Sequence, residues 1–400
     1  MIPSRKNAAA AGWLVLAAGF LVLFLGGGAR FTVGLTLKPI VDDFGWDRSQ
    51  LGLAVALYQA VSAATMFAAG RLADRAGPRL VLCGGVLVSA VGIGLMGMIT
   101  QPWHALALYG IVFAIGNGAA SIIPVGVMVT RAFPGRTGTA NAVVMSGMSV
   151  GQLVVIAVLS AVLLTVSWHA VYLWLGIAFV AALPLLLLAI PKGAGSQPNA
   201  RQPADGIGVR EAARRRQFWL LLAIYAICGF DDFFVATHVV AMAQDRGVSA
   251  FLAGNLLALM GLTGLIGVVT AGWFSDRVGP VWPTAIAFGA RVAVFALVLA
   301  DRSTLSVAVF ALVFGATFLV TAPLTVVFVS DSFGMRHLGG LTGLITMVHQ
   351  ICGGIGAYLG AAIFDARGSY DGALWTMLAV SLAALLLTLL LRQPKTGVAA

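Results

Sequence analysis

Long apolar runs separated by short polar connections fill almost the whole chain. Twelve runs can be counted, and their approximate bounds are 11–37, 49–70, 80–100, 104–131, 138–165, 168–190, 217–243, 249–273, 281–300, 304–329, 338–364 and 371–391. A hydrocarbon core about 30 Å thick needs about 20 apolar residues per helix. The pattern therefore predicts an all-α membrane protein with twelve transmembrane helices.

A nine-residue stretch occurs twice, as GRLADRAGP from Gly70 to Pro78 and as GWFSDRVGP from Gly272 to Pro280. The offset is 202 residues (272 − 70), which is half of the 400-residue chain. In each copy an apolar run ends at the first Gly and another begins just after the Pro. This is typical of a tight, charged turn between two membrane helices, where glycine permits the reversal.

The repeat predicts two halves joined by a linker. Pro124 and Pro323, and Phe133 and Phe333, also recur at offsets of 199 (323 − 124) and 200 (333 − 133). We expect an N-terminal six-helix bundle at 1–190, a linker at 191–216 and a C-terminal six-helix bundle at 217–400. The linker is rich in Pro, Gly, Ser and charge, a composition typical of flexible connections. Its end, 209–216, is expected to be a basic helix at the membrane surface.

Composition and charge place the chain in a bilayer. Hydrophobic residues make up 60% of it and charged residues 10%, and the mean hydropathy is +0.99. A soluble domain of this length does not have such a composition. The net charge of +10 comes from Arg and Lys on alternate connections, so both termini and the linker are expected in the cytoplasm of a bacterium, with the helices in its inner membrane. No nucleic-acid partner is expected.

Motifs of soluble enzymes are missing from the sequence. It contains no GxxxxGK[ST], HExxH, CxxC or GxSxG pattern. We therefore expect no enzyme activity, cofactor or metal, and no direct use of ATP. The three cysteines lie in three different apolar runs and are expected to be packing residues. A duplicated helix bundle with parallel halves is typical of secondary transporters.

Charged residues inside the apolar runs are the main candidates for function. Arg30 follows Gly26, Gly27 and Gly28 in the first run. Asp231 and Asp232 lie about 14 residues into the seventh run, or roughly 21 Å at 1.5 Å per residue. Ionisable residues at this depth usually face a cavity or a partner. Snorkelling to the membrane surface is the alternative for Arg30, and a fixed structural ion pair is the alternative for the aspartates.

The two halves suggest how these charges are related. An offset of 200 residues carries Arg30 to position 230, beside Asp231. Since corresponding helices of a duplicated bundle line the same central cavity, we expect Arg30 and one aspartate to meet there. A substrate anion would then compete for Arg30, and Asp231 and Asp232 are candidate proton carriers.

Other polar residues in the runs are secondary candidates. His349 can sense a proton gradient, although a packing role is an equal alternative. Arg291 in the ninth run is expected to be paired inside the fold instead of contacting substrate. The remaining candidates for substrate binding are uncharged side chains in four different runs: Tyr58, Asn117, Gln152 and Gln350.

Several stretches resemble one known group of transporters. Arg30-Phe31, Lys38-Pro39 and Asp43-Phe44-Gly45-Trp46 are similar to the first-helix pattern of bacterial relatives of monocarboxylate transporters and oxalate/formate exchangers, in the major facilitator superfamily. The stretches 132–152, 237–249 and 349–371 resemble the same group. The resemblance implies the major facilitator fold, with two pseudo-symmetric six-helix bundles that work by alternating access.

The resemblance also assigns roles to the repeated hairpins. In this family the charged hairpin latches the cytoplasmic side, and the matching positions here are Gly70, Asp74, Arg75, Gly77 and Arg79 in the first half, with Gly272, Asp276, Arg277 and Gly279 in the second. Related carboxylate carriers have an arginine in helix eight shortly before the hairpin glycine. The corresponding residues 267–271 contain none, which argues against a simple monocarboxylate.

These features together predict a secondary active transporter. We expect it to move a small organic acid or another small polar metabolite together with protons, and to work as a monomer in the lipid bilayer. One alternative is an efflux carrier for larger amphipathic compounds or drugs. A nutrient sensor that does not transport is another, but it needs an output domain and no polar segment exceeds about 26 residues (191–216).

Overall fold

The computed structural model describes residues 5–133, 137–190, 206–334 and 338–391 of the chain. Within these ranges, twelve helical segments are long and apolar enough to cross a membrane. The prediction of an all-α protein with twelve transmembrane helices is confirmed. The internal contacts divide the chain into a first unit, Met1–Pro198, and a second unit, Asn199–Ala400.

The first unit contains nine α-helices within its described residues: α1 Arg5–Ala29, α2 Thr32–Phe44, α3 Arg48–Ala76, α4 Pro78–Leu95, α5 Pro102–Ala105, α6 Ala114–Ala119, α7 Ile122–Ala132, α8 Thr137–Val162 and α9 Trp168–Ala189. A 3₁₀ turn follows α4 at Met96–Met98, and a π-helix joins α5 to α6 at Leu106–Phe113.

The second unit contains eight in its described part: α10 Val209–Ala212, α11 Arg216–Asp245, α12 Ala250–Val278, α13 Val281–Ala300, α14 Thr304–Phe318, α15 Thr321–Phe333, α16 Leu338–Arg367 and α17 Asp371–Leu389.

Three of the twelve candidate membrane segments are interrupted along their length. The first breaks at Arg30 and Phe31, between α1 and α2, and the fourth and tenth break just before α7 and α15. Pro124 and Pro323 are each the third residue of the helix that follows the break. The first turn is the one place where a missing N–H costs no helical hydrogen bond. The repeated prolines therefore mark the breaks.

The repeated hairpins turn later than their apolar runs suggest. α3 continues past Gly70 to Ala76, and α12 continues past Gly272 to Val278. The reversals occur at Gly77 (φ 85°) and Gly279 (φ 83°), where the positive φ favours glycine. The helices are longer than the apolar runs, because the polar residues that follow form about another helical turn and a half.

Two described hairpin arginines contact carbonyl oxygens of their own unit. Arg79 Nη1 donates to the carbonyl oxygen of Ile190 at 2.5 Å. The Arg277 guanidinium carbon lies 3.6 Å from the Trp273 ring centroid, and its Nη1 donates to the Trp273 carbonyl at 3.1 Å. The side chains of Asp74 and Arg75 lie outside the described part of the chain. The latch role stays a prediction.

The predicted linker is only partly covered. Residues 191–205 lie outside the described residues, and the expected basic helix at 209–216 is reduced to α10, with four residues. Ala212 is buried in the apolar core of the second unit, and Ile207 N donates to the Phe333 carbonyl at 2.9 Å. The C-terminal end of the predicted linker is therefore packed onto the second unit.

Glycines let two pairs of helices approach each other closely. A β-carbon at Gly27 of α1 would overlap the backbone of Met148 in α8, and one at Gly229 of α11 would overlap the backbone of His349 in α16. The two glycines are 202 residues apart (229 − 27). Aligning the two halves on these contacts uses an offset of 202 residues and matches Arg30 with Asp232 (30 + 202). The offset of 200 used for the sequence alone matched Arg30 with position 230.

The connection between α13 and α14 is fixed by Asp301. Its carboxylate accepts hydrogen bonds from the Ser306 hydroxyl and from the hydroxyl and backbone N–H of Ser303, the N-cap of α14. The bonds from Ser306 and Ser303 lower the pKa of Asp301 to about 2, because they stabilise its charged form. This connection joins α13, which carries Arg291, to α14, whose last turn contacts the Arg291 side chain.

Candidate functional site

A buried group of charges lies in the second unit. Asp231 and Asp232 of α11 are 0% and 2% exposed, and Arg291 of α13 is 1% exposed. Arg291 Nη2 lies 2.7 Å from Asp232 Oδ1, and Nη1 lies 3.8 Å from Asp231 Oδ2. The expectation that Arg291 is paired inside the fold is confirmed. Both of its carboxylate partners come from the same helix.

The end of α14 holds the arginine in place. Arg291 Nε donates to the Thr317 hydroxyl at 3.0 Å, and Nη2 donates to the Thr317 carbonyl at 3.1 Å. The guanidinium carbon also lies 4.7 Å from the Phe314 ring centroid, within the range of a cation–π contact. A buried guanidinium needs such partners because its desolvation is costly.

Helical periodicity directs the two aspartates to different neighbours. Tyr225, Cys228 and Asp232 are spaced by three and four residues, so they share one face of α11. Asp231 lies about 100° away, where its Oδ2 accepts a hydrogen bond of 2.6 Å from Ser381 of α17. Asp232 Oδ2 instead accepts from the Cys228 thiol at 3.4 Å. The two carboxylates therefore have different environments.

His349 of α16 completes the group. Its Nε2 lies 3.8 Å from Asp232 Oδ2, and its Nδ1 lies 3.2 Å from the carbonyl oxygen of Tyr225. The His349 side chain is 19% exposed, whereas both aspartates are almost completely buried. The close approach of α11 and α16 at Gly229 makes these contacts possible, since Gly229 packs directly on the His349 backbone.

The charges of this group do not balance when the imidazole is neutral. Two carboxylates and one guanidinium give a net charge of −1 in a buried environment. Burying an uncompensated charge is costly, and binding of one proton anywhere in the group brings the net charge to zero. The arrangement can therefore hold and release a proton.

The same residues include three types of metal ligand. Cys228 Sγ, an Asp232 carboxylate oxygen and a His349 ring nitrogen lie within 4.8 Å of one another. However, the Arg291 guanidinium already contacts Asp232 at 2.7 Å. A second cation at this carboxylate would be repelled by the first, so the group is not assigned as a metal centre.

The candidates of the first unit lie near the break in its first segment. Arg30 is partly exposed, and its backbone carbonyl accepts a hydrogen bond of 2.7 Å from the Tyr109 hydroxyl. Asn117 Nδ2 donates to the Gly26 carbonyl at 3.4 Å. The Tyr58 ring is buried and stacks on Tyr109 at 4.9 Å between centroids. These contacts pack α1, α3, α6 and the π-helix together.

The two predicted glutamines, Gln152 of α8 and Gln350 of α16, are buried. The expected meeting of Arg30 with one aspartate joins residues of different units and stays a prediction. The roles of all these residues in substrate binding stay predictions as well.

Sequence reasoning missed three members of the group. Ser381 and Thr317 carry no signal in the sequence, because their hydroxyls resemble many others in apolar helices. Cys228 was expected to be a packing residue, yet its spacing of four residues from Asp232 (232 − 228) places both on one helix face. That spacing was the only signal available.

The fold and its buried ions are typical of secondary transporters built from two repeated halves. The sequence matches the Major Facilitator Superfamily over residues 19–237 and 221–399, and the chain belongs to this family. It is therefore a multi-pass membrane transporter and not an enzyme. The expected membership is confirmed.

Sequence relatives span most of the chain. YcxA of Bacillus subtilis (strain 168), an uncharacterized MFS-type transporter, is 25% identical over 375 residues, which are 90% of each chain. Monocarboxylate transporter 13 of Rattus norvegicus is 24% identical over 371 residues, 90% of this chain and 84% of the relative. The oxalate:formate antiporter of Oxalobacter formigenes is 23% identical over 294 residues, 71% of this chain and 68% of the relative.

Solved structures show the same fold. The nucleoside transporter NupG has a TM-score of 0.78 at 12% identity, over 95% of this chain and 98% of its own. A bacterial homologue of the human lysosomal transporter Spinster has a TM-score of 0.74 at 15% identity, over 94% of this chain and 96% of its own.

Proposed function

We propose that this protein moves a small organic acid, or a similar small polar metabolite, together with protons across the bacterial inner membrane. It would work by alternating access, as a monomer, with both termini in the cytoplasm. The observation that carries the proposal is the sharing of one guanidinium by two buried carboxylates, Asp231 and Asp232.

The net negative charge of the buried group provides a physical basis for coupling proton movement to transport. In the proton-loaded form the group is neutral and compatible with burial. In the proton-free form it carries a net negative charge, which is stabilised only where water or a cation reaches it. Exchange of the proton therefore requires a change in exposure, and alternating access supplies such a change.

Two observations favour an organic acid as the cargo. Relatives include proteins named as monocarboxylate transporters and as an oxalate:formate antiporter. Arg30 lies at the break in the first membrane segment and is partly exposed, and a guanidinium binds carboxylates strongly. The missing arginine at 267–271 argues for an acid different from those carried by close monocarboxylate transporters.

The test is transport by purified protein in proteoliposomes, using a panel of radiolabelled organic acids. A substrate is first identified with the parent protein. Asp231→Asn and Asp232→Asn should then lose uphill accumulation driven by a proton gradient and keep counterflow, which needs no net proton movement. Asp245→Asn is the matched control, because Asp245 is an exposed residue at the end of the same helix.

Proton-driven accumulation by both Asp231→Asn and Asp232→Asn would overturn the role of the buried group. Failure of every organic acid to be transported by the parent protein would overturn the substrate class.

A further inference from the structure

The orientation of the His349 ring restricts where its hydrogen lies. Nδ1 is 3.2 Å from the Tyr225 carbonyl oxygen, and a carbonyl oxygen can only accept a hydrogen bond. Nδ1 must therefore carry the hydrogen. In the neutral ring Nε2 then has a lone pair, and it lies 3.8 Å from Asp232 Oδ2, which is another acceptor. A proton placed between these two acceptors turns their repulsion into attraction.

We propose that His349 and Asp232 share the coupling proton, and that the Tyr225 carbonyl makes His349 its point of entry by fixing the tautomer of the ring. This inference rests on the proposed function and assigns its proton site. A hydronium ion gives its proton to the Nε2 lone pair, so that one O–H bond breaks, one N–H bond forms and water is left, with an imidazolium beside the carboxylate. Transfer of that proton to Asp232 Oδ2 breaks the N–H bond, forms an O–H bond and restores the neutral imidazole.

Asp232 fits this role better than Asp231. Oδ2 of Asp231 is engaged by the Ser381 hydroxyl at 2.6 Å, and the described contacts of Asp231 do not include an imidazole. Both carboxylates lie beside Arg291, Asp232 at 2.7 Å and Asp231 at 3.8 Å, so Asp231 remains as a counter-ion of the guanidinium when the proton is on Asp232. The described groups beside the His349–Asp232 pair include Tyr225 and Cys228 from α11 and Arg291 from α13. Behind them, Thr321 of α15 contacts Cys228, and Ser381 of α17 contacts Asp231.

His349 is the most exposed member of the group. Its side chain is 19% exposed, whereas Asp232 is 2% exposed and Arg291 is 1% exposed. A proton can therefore reach Asp232 by way of the imidazole, which lies 3.8 Å from its Oδ2. Since Gly229 packs directly on the His349 backbone, the ring is well placed to exchange protons while α11 and α16 stay together.

A second histidine of the same unit provides an internal control. His238 Nε2 lies 2.8 Å from the Ala357 carbonyl oxygen, and Nδ1 lies 3.0 Å from the Tyr370 hydroxyl. By the same reasoning Nε2 carries the hydrogen and Nδ1 accepts from Tyr370. Both nitrogens are satisfied in a neutral ring that is 1% exposed. His238 should therefore be the opposite tautomer and should keep its charge state.

The experiment is solid-state NMR of the full chain, labelled with ¹⁵N-histidine, in vesicles of phosphatidylethanolamine and phosphatidylglycerol. His349→Gln and His238→Gln identify the two sets of ring signals. At high pH His349 should show hydrogen on Nδ1 alone, and at low pH on both nitrogens. His238 should show hydrogen on Nε2 alone throughout. A His349 ring with hydrogen on Nε2 alone at high pH, or one that does not change with pH, would overturn the proposal.

The same NMR measurement on the Asp232→Asn variant is a second test. The substitution leaves Asp231 and Arg291 as a neutral pair, so a further proton would create a buried positive charge, and the asparagine amide can donate to Nε2. The His349 signals should then stay those of the neutral ring over the range in which the parent protein changes. Asp245→Asn should titrate like the parent. An unchanged His349 titration in Asp232→Asn would contradict the shared proton.

The NMR arms need no substrate, so they separate this inference from the proposed function. Expected NMR results with no proton-driven accumulation would overturn the proposed function alone. Proton-driven accumulation by a protein whose His349 does not titrate would overturn the shared proton alone.

Discussion

Arg291 shows how a single residue can determine the charge state of a buried site. It is fully enclosed by two carboxylates, the Thr317 hydroxyl and carbonyl, and an aromatic face. Removal of one member of a buried ion group is strongly destabilising because it leaves charge without compensation. The replacement of two oppositely charged members costs much less.

Arg291→Gln should therefore lower the free energy of unfolding by about 3 to 5 kcal/mol, since two buried carboxylates remain without a cation. The double variant Arg291→Gln, Asp231→Asn should recover part of this loss. The measurement is thermal unfolding of the purified protein in detergent.

Arg302→Gln is the control for loss of an arginine. Arg302 pairs with Asp371 at the surface and is 66% exposed, and surface pairs contribute only about 0 to 1 kcal/mol. A double variant no more stable than Arg291→Gln alone would contradict the charge argument.

At the scale of elements, the site depends on how closely α11 and α16 approach each other. A β-carbon at Gly229 would overlap the His349 carbonyl, and one at Gly356 would overlap the Phe230 carbonyl. The equivalent pair in the first unit, α1 and α8, meets in the same way at Gly27 and Gly151. Small residues that allow close approach are typical of helix pairs in membranes.

Gly229→Ala should push α16 away from α11 and lower the unfolding free energy by about 1 to 3 kcal/mol, the usual cost of overpacking. It should also change the His349 signals, because the Tyr225 contact is lost. Gly289→Ala in α13 is the control, since a β-carbon there meets no atom within 4 Å and alanine favours a helix by about 1 kcal/mol. Equal unfolding temperatures for the two variants would show that the close contact is unimportant.

At the scale of the whole molecule, the distribution of arginines predicts the orientation in the membrane. Arg210, Arg214, Arg215 and Arg216 are exposed around α10, and positive connections face the cytoplasm. Asp47, before α3, lies on an opposite connection and is also exposed.

Single cysteines at these connections test the orientation. In a background without Cys83, Cys228 and Cys352, the variant Asp47→Cys should react with an impermeant maleimide added to intact cells. The variant Arg214→Cys should react only after the cells are lysed. Labelling of Arg214→Cys in intact cells would place the linker outside the cell and contradict the predicted cytoplasmic orientation.

The sequence by itself determined the class of the protein and the depth of its charges. Twelve apolar runs require twelve membrane helices, since an apolar helix of about 20 residues is stable only across a bilayer or deep in a core. The repeat of Gly77 and Gly279 marked both hairpins, although the apolar runs ended before the helices did. The positions of Asp231 and Asp232 along α11 followed from counting residues.

Only the tertiary structure decided which charges meet. Position along a helix gives depth, but the neighbour at that depth depends on how helices far apart in sequence pack. Arg291 is 59 residues after Asp232 (291 − 232), and Ser381 is 150 residues after Asp231. Symmetry of the sequence predicts Arg30 beside one aspartate, and this pairing stays a prediction. Packing within the second unit gives the aspartates Arg291, Ser381 and His349, which no symmetry argument could name.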